Sequence, residues 1–339
     1  MRQLWLDYAR AFACVLVTLG HLLMSFLDAQ ILHDSWLLSF CVQFIYYFHV
    51  YIFFFCGGYL FQKSTAKLNT AAEHIGYKLL RCVDFLIPYV LFSAVTYGIR
   101  VFLSADVNSQ ITQSLGYVLL VQPVGHMWYL YAVAVITVLF PPIRSKTWLA
   151  VVCAVAIVLK LVTWLPGYQE ITPLHYLCRD SVWFALGMVW AYTRVQLKGW
   201  MAATSALAFV GLGVFHSLYP QGRESAMLLT FLGVVGSVEL IRVMVRNKTK
   251  LSGVWKYLSR YMLQIYLLHT ICAAGIRIVL FRLGVTHWAI HLPAGLVFSF
   301  GVPILCAMLA QRIRFLNIVF FPSKTIRELR AKNIQVHHM

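Results

Sequence analysis

The chain has 339 residues, 61% of them hydrophobic and only 12% charged, with a formal net charge of +17 and a mean hydropathy of +0.76. A soluble domain carries about 25% charged and about 45–50% apolar residues, so an ordinary soluble enzyme is excluded. The apolar residues fall in runs of about twenty, the length needed to cross the hydrocarbon core, where a helix satisfies its own backbone polar groups. The expected fold class is all-α, a polytopic membrane protein of about ten transmembrane helices.

In chain order the runs lie at about 5–26, 36–61, 82–104, 127–143, 147–165, 173–194, 200–219, 225–245, 258–281 and 288–313. The first carries Asp7 and Arg10 and lacks a clear small-residue cleavage site, so it reads as a retained span and not as a signal peptide. The longest stretches outside the runs, about 62–81 and 105–126, are expected to be non-helical, the former partly amphipathic. Residues 1–316 form the expected transmembrane domain and 317–339 a basic tail.

Ten spans place both termini and the even-numbered loops on one side. That side holds Arg2, Lys63, Lys67, Lys78, Arg81, Arg144, Lys146, Arg194 and Lys198. It also holds the cluster from Arg242 to Arg260 and the tail from Arg312 to Lys332, whereas the opposite loops show only Arg223 and Arg282. The positive-inside rule then sets both termini in the cytoplasm. It also accounts for the net charge without nucleic acid, for which no recognisable module is present. The eight cysteines lie in or beside apolar runs with no CxxC pair and read as packing residues. No metal-ligand spacing is present, and neither are internal repeats.

Ionisable groups inside spans are costly and mark function by default. The first span carries Asp7, Arg10 and His21. Eleven residues make about three full turns, so Arg10 and His21 share one face about 16 Å apart along the axis. Asp7 lies one turn from Arg10, the spacing of a helical ion pair. His49 and His269 lie mid-span, each a cavity-lining or a packed hydrogen-bonding residue. His126, Trp128 and Tyr129 are expected at the outer interface, where aromatics concentrate anyway. Arg179 and Asp180 lie near the outer end of the sixth span, placed to bind a sugar or each other's neighbours. Lys160, Arg100, Glu239 and Arg277 are expected to snorkel or pair between helices.

The segment LDYARAFACVLVTLGH, Leu6 to His21, resembles the opening helix of the acyltransferase-3 family of bacterial membrane O-acyltransferases, in its Asp, its Arg three residues on and its His eleven beyond. FHVYIFFFCGGYLF is similar to the family's second-helix stretch, with Tyr51 where Pro is usual and Gly57 where Ser is usual. KLLRCVDFLIPY resembles the family's Arg-x-x-Arg motif, with Lys78 in the first position, which keeps charge but loses bidentate bonding. HMWYL, WFALGM and QIYLLHT match later family patterns in order.

The resemblance implies an enzyme that moves an acyl group, commonly acetyl from acetyl-CoA, to a hydroxyl of a surface polysaccharide or its lipid-linked precursor. On that scheme no bound cofactor is needed, acyl-CoA being the donor substrate. Lys78 and Arg81 would pair with its phosphates, His21 would act as general base and Arg10 would orient the donor or steady developing oxyanion charge. The expected partners are acyl-CoA, a saccharide acceptor and membrane lipids, in the bacterial cytoplasmic (inner) membrane. A secondary transporter or sugar exporter would also need buried charges, but with matched helix interruptions in two repeats. A non-catalytic assembly partner gives no reason for Arg10 and His21 to share a stripe.

Overall fold

The computed structural model describes residues 3–32, 35–103, 111–168, 174–219, 222–250, 253–326 and 328. Arg2, residues 104–110 of the expected loop and the tail from 329 onward lie outside the described residues. Fourteen α-helices and one 3-10 turn are delimited in the described chain, further helical residues follow at 322–326, and no strand occurs among the described residues. In order they are α1 (Leu4–Asp28), α2 (Trp36–Tyr46), α3 (His49–Thr65), α4 (Ala71–Phe102), α5 (Leu115–Leu120), the 3-10 turn Gly125–Met127, α6 (Trp128–Leu139) and α7 (Lys146–Val162). Then follow α8 (Leu174–Thr193), α9 (Gly199–Leu218), α10 (Arg223–Met244), α11 (Gly253–Arg260), α12 (Met262–Arg282), α13 (Trp288–Ala310) and α14 (Arg314–Phe320). The fold is therefore all-α and polytopic.

Seven stretches are long and apolar enough to cross a membrane: α1, α2 with α3, α4, α9, α10, α12 and α13. The other three expected runs are also helical, as α6, α7 and α8. α6 and α7 are short, with 12 and 17 residues, and α8 carries the polar sequence His175 to Ser181.

Two boundaries differ from expectation for identifiable reasons. The stretch 62–81 is helical at both ends, because α3 runs on to Thr65 and α4 starts at Ala71. Thr70 and Glu73 form a capping box, each side chain bonding the other's backbone N–H, which satisfies donors at the helix start. Lys78 and Arg81 therefore sit one turn apart on a helix, not in a loop. The expected span 36–61 is interrupted at Tyr47 and Phe48, whose N-cap geometry restarts the chain as α3.

The larger core cluster gathers α1, α3 and α12, a second forms where α3 crosses α8, and there glycine sets how close the helices come. A Cβ added at Gly58 would lie 1.9 Å from the Phe184 carbonyl oxygen, and one at Gly187 would lie 1.9 Å from that of Phe55. The contact is reciprocal, one glycine from each helix, and only Gly permits it. The CGGY and ALGM segments are thus interlocking halves of one crossing.

α1 and α12 run parallel, pinned where the Cys14 thiol meets the Met262 carbonyl at 3.8 Å. Seven residues on from each contact lie His21 and His269, so equal rise brings these two to one level. Beyond them the Arg277 guanidinium bonds the Ser25 carbonyl at 3.1 Å and its hydroxyl. Glu239 is 1% exposed and accepts from Trp190 Nε1 at 2.9 Å, Leu197 N at 3.2 Å and Arg242 Nη1 at 3.1 Å. Lys160 Nζ donates to the Arg179 carbonyl at 3.4 Å. These buried charges tie helices together. α14 returns the chain to the bundle, with Gln264 Nε2 donating to the Phe320 carbonyl at 2.9 Å.

Candidate active site

Arg10 leaves α1 as an ion pair: Nη2 donates to Asp7 Oδ1 at 2.6 Å and Nε to the Leu6 carbonyl at 3.3 Å. Asp7 is buried, so its carboxylate fixes the guanidinium by a charge-assisted bond. The side chain lines a cavity of about 170 Å³ that Arg81, Tyr77, Phe85, Tyr129 and Tyr266 also line. Arg81 reaches it from α4, with Nη1 on Asp84 Oδ2 at 3.3 Å, Nε on the Tyr77 hydroxyl at 3.4 Å and the guanidinium 5.5 Å from the Tyr77 ring. The other Asp84 oxygen accepts the Ser323 amide at 3.0 Å, which brings the segment after α14 to the same mouth. Two arginines some seventy residues apart thus share one cavity.

Lys78 does not line it. Its Nζ donates to the Val138 carbonyl at 2.6 Å, one of the last carbonyls of α6, where a helix end presents unpaired acceptors and negative dipole charge. Lys78 is therefore a helix-end partner, and of the Lys78/Arg81 pair only Arg81 faces the cavity.

Further along α1, His21, His126 and His269 converge from three elements. Their ring centroids lie 5.7 Å (His21–His126), 5.4 Å (His21–His269) and 4.7 Å (His126–His269) apart. His269 Nδ1 faces the carbonyls of Ile265 and Tyr266 at 3.0 and 2.8 Å. Carbonyls only accept, so Nδ1 carries the proton and Nε2 is left as an acceptor. Thr270 Oγ1 stands 3.5 Å from His126 Nδ1, and the Tyr46 hydroxyl 3.3 Å from His21 Nδ1. Neither His126 Nε2 nor His269 Nε2 has a hydrogen-bond partner among the described residues. The cluster therefore holds two buried imidazole nitrogens whose hydrogen-bonding capacity the described residues do not use. Among the described residues no group of His, Cys, Asp or Glu has the arrangement of a metal site.

His126 is buried, and Trp128 and Tyr129 are partly buried, so all three pack within the bundle. Tyr129 packs on Phe53 and Phe54 at 5.6 and 4.9 Å. Trp128 stacks on Tyr176 at 5.3 Å with the Arg179 guanidinium 4.5 Å from its ring. Arg179 also forks onto both Asp180 oxygens at 2.8 and 2.9 Å, so these two are largely committed to each other. Arg179 lines a further cavity of about 650 Å³ with Tyr46, Lys160 and Arg223. His49 stands apart from the trio, with Nδ1 on the Ile45 carbonyl at 2.7 Å and its ring 4.9 Å from that of Tyr46.

Three further residues complete the site: Tyr266 and Tyr46, which charge did not single out, and Arg100, which was expected only to snorkel or pair. Tyr266 lines the Arg10 cavity while its hydroxyl donates to the His126 carbonyl, so one side chain joins the arginine cavity to the histidine trio. Tyr46 links His21 to the cavity of Arg179. Arg100 lines a cavity of about 220 Å³ beside His21 and His269. Tyr266 lies three residues before His269, on the same helical face, a signal the sequence did offer; Tyr46 in an aromatic run offered none.

Neither a curated protein nor a solved structure matches the chain. A family model described as an acyltransferase domain matches residues 3–308, nearly the whole chain, including both arginines and all three histidines of the site. The chain belongs to the acyltransferase-3 family and is a membrane acyltransferase.

Proposed function

We propose that the protein transfers a short acyl group, acetyl in the first instance, from acyl-CoA to a hydroxyl of a cell-surface saccharide or its lipid-linked precursor. The observation that carries this reading is the line from Arg81 and Arg10, through Tyr266, to the trio of His21, His126 and His269. Basic forks suited to phosphate stand at one end and imidazoles suited to taking a proton at the other. Acyl-CoA enters at the Arg81 end, and its slender arm follows the apolar wall toward the trio. His21 takes the proton of the acceptor hydroxyl as that oxygen attacks the thioester carbonyl. The new ester forms, the thioester bond breaks, and the CoA thiolate leaves and receives the proton. Arg10, held by Asp7, orients the donor. Arg179, Asp180, Trp128 and Tyr129 shape the walls around the site, and His49 supports Tyr46.

The donor part of this scheme is tested by kinetics. Arg81→Ala should raise the KM for acyl-CoA by about 10–100-fold, the loss of a charge-assisted bond, with little change in the acceptor's KM. Lys78→Ala should lower thermal stability and leave the donor KM near wild type. The reverse pattern would move the phosphate site to Lys78.

The ten apolar runs read as ten spans, the placement of Lys and Arg in the loops sets both termini in the cytoplasm, and membership of a family of bacterial membrane acyltransferases supports the inner membrane. In a Cys41→Ser background, a cysteine at Lys67 should stay unlabelled by an impermeant thiol reagent in intact cells. One at Thr286 should react. Labelling of the first and not the second would invert the orientation.

A further inference from the structure

Away from the histidine trio, two cavities adjoin near the end of α10. One is apolar, about 490 Å³, lying between α1, α2, α9 and α10. Its wall on α10 runs from Gly233 to Met244, a rise of about 16 Å, against about 15 Å for one leaflet of a hydrocarbon core about 30 Å thick. Met244 and Val210 on its rim are 74% and 46% exposed, so the groove opens sideways, toward the lipid. Lys248 follows one turn later, with Nζ 5.3 Å from the Tyr8 ring. The second cavity, about 280 Å³, shares Val245 and Lys248 with the first and adds Arg242 and Arg246. Arg242 is held by Glu239 and by the Val195 carbonyl at 2.9 Å, whereas Arg246 and Lys248 are exposed. An apolar groove one leaflet deep therefore ends in a basic pocket.

We infer that these two cavities form one site for an anionic glycerophospholipid, with an acyl chain along α10 in the groove and its phosphate between Arg246 and Lys248. Charge complementarity selects the headgroup, since basic pockets at the cytoplasmic ends of membrane helices attract anionic lipids. Depth and lateral opening select a bilayer lipid over a free phosphate, which has no use for the groove. The inference is independent of the acyl-transfer reading, because it is measured on the protein without donor or acceptor.

The experiment is native mass spectrometry of the detergent-solubilised full chain, titrated with phosphatidylglycerol or phosphatidylcholine of equal chain length. Wild type should retain phosphatidylglycerol about tenfold better. Each surface charge is worth about fivefold, so Arg246→Gln with Lys248→Gln should cut phosphatidylglycerol retention by about 10–30-fold. Val210→Trp, which intrudes from the exposed rim, should weaken both lipids. Lys63→Gln with Lys67→Gln should change neither, and matched melting curves show that all variants fold. Equal retention of the two lipids by wild type would overturn the headgroup assignment, and phosphatidylglycerol retention indifferent to Val210→Trp would overturn the groove. Displacement of phosphatidylglycerol by millimolar glycerol phosphate would show a free-phosphate site instead.

Discussion

His21→Gln should lower acyl transfer by about 10²–10⁴-fold, the usual worth of a general base, while the protein still inserts and accumulates. Glutamine keeps a polar side chain of similar reach beside Tyr46, whose hydroxyl stands 3.3 Å from His21 Nδ1, but it cannot carry a proton at neutral pH. His21→Ala also removes packing against His126 and His269, so Gln separates chemistry from structure. The readout is turnover of purified enzyme with labelled acyl-CoA, normalised to folded protein. Near-normal turnover in a well-folded His21→Gln enzyme would make His21 a packing residue. His269 would then be the first replacement, because its Nδ1 is committed to carbonyls and its Nε2 is left to accept a proton.

Gly58→Ala should destabilise the fold more than any other single methyl group added to α3. The new Cβ would lie 1.9 Å from the Phe184 carbonyl oxygen and 2.8 Å from its carbon, backbone atoms that cannot rotate away. α3 and α8 must part for the methyl to fit, which loosens their packing along the crossing. Overpacking of this kind costs about 1–3 kcal/mol or more, and the gain in helix propensity from Gly to Ala, about 1 kcal/mol, offsets only part of it. Gly57→Ala is the matched control. Its Cβ would meet Phe184 ring atoms at 3.6 Å, an ordinary contact, so propensity should leave it neutral or slightly stabilising. Thermal melts of the two variants in one detergent test the pair, and equal melting temperatures would refute the account of this crossing.

The membrane class and the helical runs were legible because lipid penalises every alternative to an apolar helix. Of the site, the stripe of Asp7, Arg10 and His21 could be read from helical period alone, since all three lie on one element. What brings His269 and His126 to His21 could not: the first depends on contact between α1 and α12, as at Cys14 and Met262, 248 residues apart in sequence, and the second on the bond from Tyr266 to the His126 carbonyl. The burial of His126 was not legible either, because His-Met-Trp-Tyr has the composition of an interfacial belt, and only the fold shows its 3-10 turn packed against Tyr266 of α12. The start of α4 was missed although Thr70 and Glu73 spell a capping box, because charge in the segment suggested a loop. Lys78 and Arg81, neighbours on one helix, diverge because the end of α6 lies within reach of only the first.

The central claim is acyl transfer to a saccharide, and one measurement addresses it most directly. Surface glycans from cells with the gene, without it, and carrying His21→Gln are compared by mass spectrometry. The account predicts one acetyl ester per modified repeat in the first sample and its loss in the other two, with the His21→Gln protein present in the membrane at wild-type level. Glycans of identical mass in all three would contradict it.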